Sequence, residues 1–112
     1  MIYHIAQKEL WNKAQASEFY SVDSLKKDGF IHCSTKDQLL LVANHLFKGQ
    51  KDLVVLSIDE DTLSSKVVFE DLYDYGDEFP HIYGKIDLTA VTRVSDFTTD
   101  VGGDFILPSV LE

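Results

Sequence analysis

The chain has 112 residues, 19 acidic against 10 basic side chains and a formal net charge of −9, a length and a 45% hydrophobic content that suit one domain over residues 1–112. So acidic a surface repels polyanions, and Arg93 as sole arginine leaves few bidentate phosphate clamps, which excludes nucleic acid as a main partner. No stretch approaches the roughly 20 apolar residues of a membrane span, and Met1–Ile5 lacks the basic start of a secretory signal, so the expected setting is cytoplasmic, with no membrane partner.

Residues 1–6 read as a first strand. Lys8 to Ala16 reads as a helix, with Leu10, Trp11 and Ala14 as its apolar stripe and Trp11 pinning it to a sheet. Ser17 to Asp28 reads as an irregular connection ending in a helical turn, Ser24–Asp28, closed by Gly29. Gly29-Phe30-Ile31-His32-Cys33 is a short strand whose alternation puts Phe30, His32 and Ser34 on one face and Ile31 and Cys33 on the other. Cys33 is the only cysteine, which rules out an internal disulfide and a CxxC zinc site, and its face suits a core. Ser34 reads as the N-cap of the next helix, with Asp37 as the acidic partner three residues on. Leu39, Val42, Ala43, Leu46 and Phe47 recur at helical spacing as far as Lys48-Gly49, with His45 on the opposite, partly exposed side.

Leu53–Ile58 is a continuous apolar run rich in β-branched residues, the pattern of a strand buried on both faces. Val67–Glu70 is a strand, 71–78 an acidic loop, Phe79–Lys85 and Val91–Phe97 further strands, and Gly102-Gly103 a turn before a short last strand, Phe105–Leu107. The order β-α-β-α followed by strands predicts an α+β fold, two helices from the N-terminal half packed on a mixed or antiparallel sheet.

Three of the four histidines, His4, His32 and His81, lie in apolar extended segments beside aromatic residues. A histidine there either fills the core or serves as proton carrier, hydrogen-bond donor or metal ligand. On 79–85, Phe79, His81, Tyr83 and Lys85 share a face that suits a cleft better than a core. Cys33 points away from His32, which argues against a nucleophile pair. Three imidazoles also suit a catalytic zinc site, although the spacing matches no metal motif and no HExxH is present. Glu70 ends an apolar strand; a solvated strand end is its ordinary reading, projection into a cleft the functional one.

The strings Ile2-Tyr3-His4-Ile5, Gly29-Phe30-Ile31-His32-Cys33-Ser34 and Phe79-Pro80-His81-Ile82-Tyr83-Gly84, with Trp11, Tyr20, Ser24-Leu25, Gln38, Ala43-Asn44, Phe47, Asp52-Leu53-Val54, Ile58-Asp59 and Glu70 between them, resemble the small bacterial proteins catalogued as domain of unknown function 952. That family carries no established activity to transfer. More loosely, a strand histidine, a helix, and a strand ending His-x-Ser before a helix are similar to the core of the ADP-ribosyltransferase fold, especially its tRNA 2′-phosphotransferase branch.

The looser resemblance implies that His4 contacts a ribose, that His32 lies on the nicotinamide side and that His81 takes the third-strand position, where the protein-modifying branches have glutamate. It also implies Tyr83 or Tyr20 as a stacking platform. Glu70 is the alternative third-strand carboxylate, and the phosphate-binding arginines of the phosphotransferases have no counterpart beyond Arg93. The resulting expectation is an NAD- or ADP-ribose-type transferase or hydrolase. Its catalytic residues are His4, His32 and His81, and Ser34, Tyr20, Glu70 and Tyr83 contact the substrate. No tightly bound cofactor is expected, NAD being a substrate, and the partner is a nucleotide-like small molecule. A non-catalytic ligand-binding module and a metal-dependent hydrolase on the same histidines are the alternatives.

Overall fold

The computed structural model describes residues 1–111, so Glu112, the last residue of the expected domain, lies outside the described residues. The fold is α+β, and every strand pairing among the described residues is antiparallel.

Its centre is β4 (Leu53–Ile58), in which all six residues are buried, as the unbroken apolar run predicts. Burying each Val, Leu or Ile contributes about 1.5–3 kcal/mol, so this strand anchors the core. β1 (Ile2–Gln7) pairs with one edge of β4, from Ile2 opposite Ile58 to Gln7 opposite Leu53. β8 (Val91–Phe97) takes the other edge, with a bulge at Ser57/Ile58. A second three-stranded sheet has β6 (Phe79–Tyr83) between β3 (Ile31–His32) and β5 (Lys66–Glu70). A third sheet is a two-residue pair, β2 (Phe19–Tyr20) with β7 (Ile86–Asp87).

The two larger sheets meet where β1 passes the end of β3. Tyr3 N–H donates to the Ser34 carbonyl at 2.8 Å, and Ser34 N–H donates to the Tyr3 carbonyl at 2.7 Å.

Helix α1 (Lys8–Ala14) continues from β1 and buries Trp11, whose ring lies 5.8 Å from that of Tyr20. The turn expected at 24–28 is a full helix, α2 (Asp23–Asp28), so the N-terminal half holds three helices rather than two. Gly29 ends α2 at φ 84°, a left-handed conformation that side-chain-bearing residues rarely adopt. Helix α3 (Lys36–Leu46) buries Leu39 and Ala43 against Ile5, Val55, Phe97 and Phe105. His45 on this helix is exposed.

Ser34 is not the cap of α3. Its backbone is spent on Tyr3, and the N-cap is the next residue, Thr35. Gln38, not Asp37, is the capping-box partner: its Oε1 accepts from Thr35 N–H at 3.0 Å. The expected strand Phe105–Leu107 is a single bridge residue, Phe105 opposite Thr99, tied to α3 by its N–H donating to Asn44 Oδ1 at 2.7 Å. No helix among the described residues is long and apolar enough to cross a membrane.

Candidate functional site

The proposed site residues fall on two sides of the seam between the larger sheets. On one side is a cavity of about 700 Å³ between β1, β2 and α3. His4, Tyr20, His32 and Ser34 line its polar end, and Leu10, Val42 and Phe47 belong to its apolar wall.

His4 is 7% exposed. Its Nδ1–H donates to the His32 carbonyl at 2.7 Å, which fixes the tautomer and leaves Nε2 as an acceptor. The Tyr20 hydroxyl stands 3.5 Å from that nitrogen, at the long end for a hydrogen bond. Burial pulls the His4 pKa down to about 4, with the nearby His32 charge acting the same way and the bond to the His32 carbonyl opposing both. His4 is therefore neutral at pH 7. Burial likewise pushes the Tyr20 phenol up, so it remains a hydroxyl donor. Ser34 is buried and belongs to the cavity lining.

On the other side, β3 and β6 set His32 directly opposite His81. The two rings are 5.5 Å apart and nearly perpendicular. His81 is buried, and its Nδ1–H donates to Glu70 Oε2 at 2.8 Å. Tyr83 O–H donates to the same oxygen. These two bonds, Tyr83 first, hold the Glu70 carboxyl below its ordinary range, and the bond to Glu70 raises the Tyr83 phenol. The more open His32 donates Nε2–H to Asp28 Oδ2 at 3.1 Å. Phe30 stacks on His81 at 4.1 Å and lies 4.8 Å from His32, fixing both rings. Tyr73 stacks on the outer side of His32 at 5.9 Å.

The three histidines therefore do not line one cleft. His4 and His32 line the cavity, His32 and His81 share the outer face, and His81 is absent from the cavity wall. Among the described residues no three His, Cys, Asp or Glu side chains converge to hold a metal ion. Glu70 is more than a solvated strand end, because His81 and Tyr83 both bind its carboxylate. Cys33 is buried with the core as expected, and burial raises its thiol pKa, which makes it a poor nucleophile. Lys85, expected beside His81, lies instead over the Phe19 ring at 5.7 Å.

Asp28 and Tyr73 are the neighbours of His32 that the sequence left unmarked, while Phe30 packs beside His32 on the face that alternation gave it. Asp28, four residues before His32, carries a local signal; Tyr73 comes from a loop whose path no periodicity reveals.

The chain is similar to solved structures of a protein from Caulobacter crescentus. The crystal structure of its protein CC0527 is 32% identical, covers 98% of this chain and 96% of that one, and superposes with a TM-score of 0.87. The solution NMR structure of CC0527 is 29% identical over 97% of this chain and 91% of that one, with a TM-score of 0.73. No curated protein matches. Residues 5–94 match the family described as "Protein of unknown function (DUF952)", and the chain belongs to that family.

Proposed function

We propose that the chain is an NAD- or ADP-ribose-type transferase or hydrolase of ADP-ribosyltransferase-like fold that binds its nucleotide in the cavity beside His4. The observation that carries this reading is that the first-strand His4 and the second-strand His32 line one cavity, with His4 neutral and its tautomer fixed. The bare Nε2 of His4 accepts a hydrogen bond from a ribose hydroxyl, while Tyr20 and Ser34 hydroxyls donate to the ligand's oxygens. His32, on both sides of the seam, orients the leaving group. When the C–N glycosidic bond breaks, its electron pair leaves with nicotinamide and the ribose passes through an oxocarbenium-like state. The attacking water or acceptor hydroxyl bonds to the same ribose carbon and releases its proton to solvent, because His81 with its Glu70 partner lies away from the cavity wall.

NAD and ADP-ribose are titrated into the protein while the histidine ring resonances and nicotinamide release are followed. Saturable shifts of His4 and His32 are expected, with binding weakened roughly tenfold in His4→Ala, the loss of one good hydrogen bond. Unmoved rings at millimolar ligand overturn the proposal. The position of His81 away from the cavity wall favours one second reading, a non-catalytic binding module. Saturable binding without nicotinamide release supports that reading instead.

A further inference from the structure

The outer face holds two imidazoles, each with one nitrogen committed to a carboxylate. A carboxylate only accepts, so neutral His81 carries its proton on Nδ1, toward Glu70, and neutral His32 on Nε2, toward Asp28. His81 Nε2 and His32 Nδ1 are left as lone pairs with no hydrogen-bond partner among the described residues. An imidazole whose far nitrogen is held by a carboxylate is the outer-shell arrangement that orients metal-binding histidines and raises their basicity. Here it occurs twice, on residues that face each other across one strand pair.

The spacing fits the same chemistry. With metal–nitrogen bonds of about 2.0–2.1 Å and a ring radius of about 1.1 Å, two imidazoles on one tetrahedral ion have centroids roughly 5 Å apart. The observed separation is 5.5 Å. Phe30 packs on both rings, so their positions are held before any ion arrives. The net charge of −9 favours a cation at this surface.

We propose that His32 and His81 form a two-imidazole site for a divalent transition-metal ion such as zinc, oriented by Asp28 and Glu70, with the remaining coordination positions open to solvent or a ligand. Imidazole donors select zinc, copper or nickel over magnesium or calcium. With two protein ligands the ion exchanges freely, unlike one in a closed structural site. The site differs from the three-histidine arrangement read in the sequence, because His4 has spent Nδ1 on the main chain and lies across the seam.

Zinc alone, added to the intact chain with no nucleotide present, tests the site independently of the proposed enzymatic function. Histidine ring nitrogen and proton resonances are followed through the titration. His32 and His81 are expected to shift together and saturate at one equivalent, while His45, a lone exposed histidine on α3, stays unmoved. His32→Gln and Glu70→Gln, both at positions reachable from solvent, are each expected to weaken zinc binding by roughly tenfold or more. Equal shifts at His45 and His32 with His81 unmoved, or affinities unchanged in both variants, overturn the proposal.

Discussion

At the scale of single residues, His4 makes the strongest link between burial and stability. Its pKa is about 4 in the folded chain against an ordinary 6.5. Between these values the unfolded chain binds a proton that the folded chain refuses, so stability is complete above pH 6.5 and falls as the pH drops toward 4. The full effect is roughly 3 kcal/mol, and about 2 kcal/mol of it is gone by pH 5. Glu70 acts in the same direction lower on the scale: its depressed carboxyl contributes stability that is lost as pH falls below the ordinary value of 4.5. Urea unfolding of the wild type and His4→Gln at pH 7 and pH 5 separates the histidine's share. The variant is expected to lose about 2 kcal/mol less over that interval, and an identical loss in both refutes the assignment.

At the scale of elements, one amide organises the rim of the outer face. Gln38, buried in the first turn of α3, accepts from Thr35 N–H and donates through Nε2 to Asp77 Oδ2 at 2.8 Å and to the Glu78 carbonyl at 2.7 Å. The same side chain thus caps a helix and fixes the loop that carries Tyr73 to His32. Gln38→Ala strips all three groups of their partner and is expected to cost about 1–3 kcal/mol. It is also expected to remove the nuclear Overhauser contacts between the Tyr73 and His32 rings. A variant that keeps those contacts and loses less than about 0.5 kcal/mol shows that the loop holds itself.

Elements with strong local rules were legible: β4 from its unbroken apolar run, α3 from helical spacing, and the end of α2 from Gly29. The cap shifted from Ser34 to Thr35 because both are good caps and a tertiary bond, Ser34 to Tyr3, decided between them. The strands β2 and β7 have two residues each, too few to establish an alternation. That His32 faces His81 follows from strand pairing, which local patterns do not encode. The same is true of the separation of His81 from His4.

At the scale of the whole molecule, the seam between the two larger sheets joins both candidate sites. It is closed by the paired Tyr3 and Ser34 backbone bonds and by the His4 imidazole bond to the His32 carbonyl. The amides of Tyr3 and Ser34 therefore report its opening as one unit, below the free energy of global unfolding. In native-state hydrogen exchange the two amides are expected to share one opening free energy, and a cavity ligand to slow both by the same factor. Independent exchange at Tyr3 and Ser34 refutes a common opening.

The bond from His4 to the His32 carbonyl has a consequence for occupancy. It joins an imidazole of the cavity to the main chain of the residue whose own imidazole completes the outer pair. A ligand on His4 Nε2 polarises the Nδ1–H bond, and through it the peptide that carries His32. The two occupants are then thermodynamically linked: whatever factor a filled cavity imposes on the affinity of the outer pair, an occupied outer pair imposes on the cavity ligand.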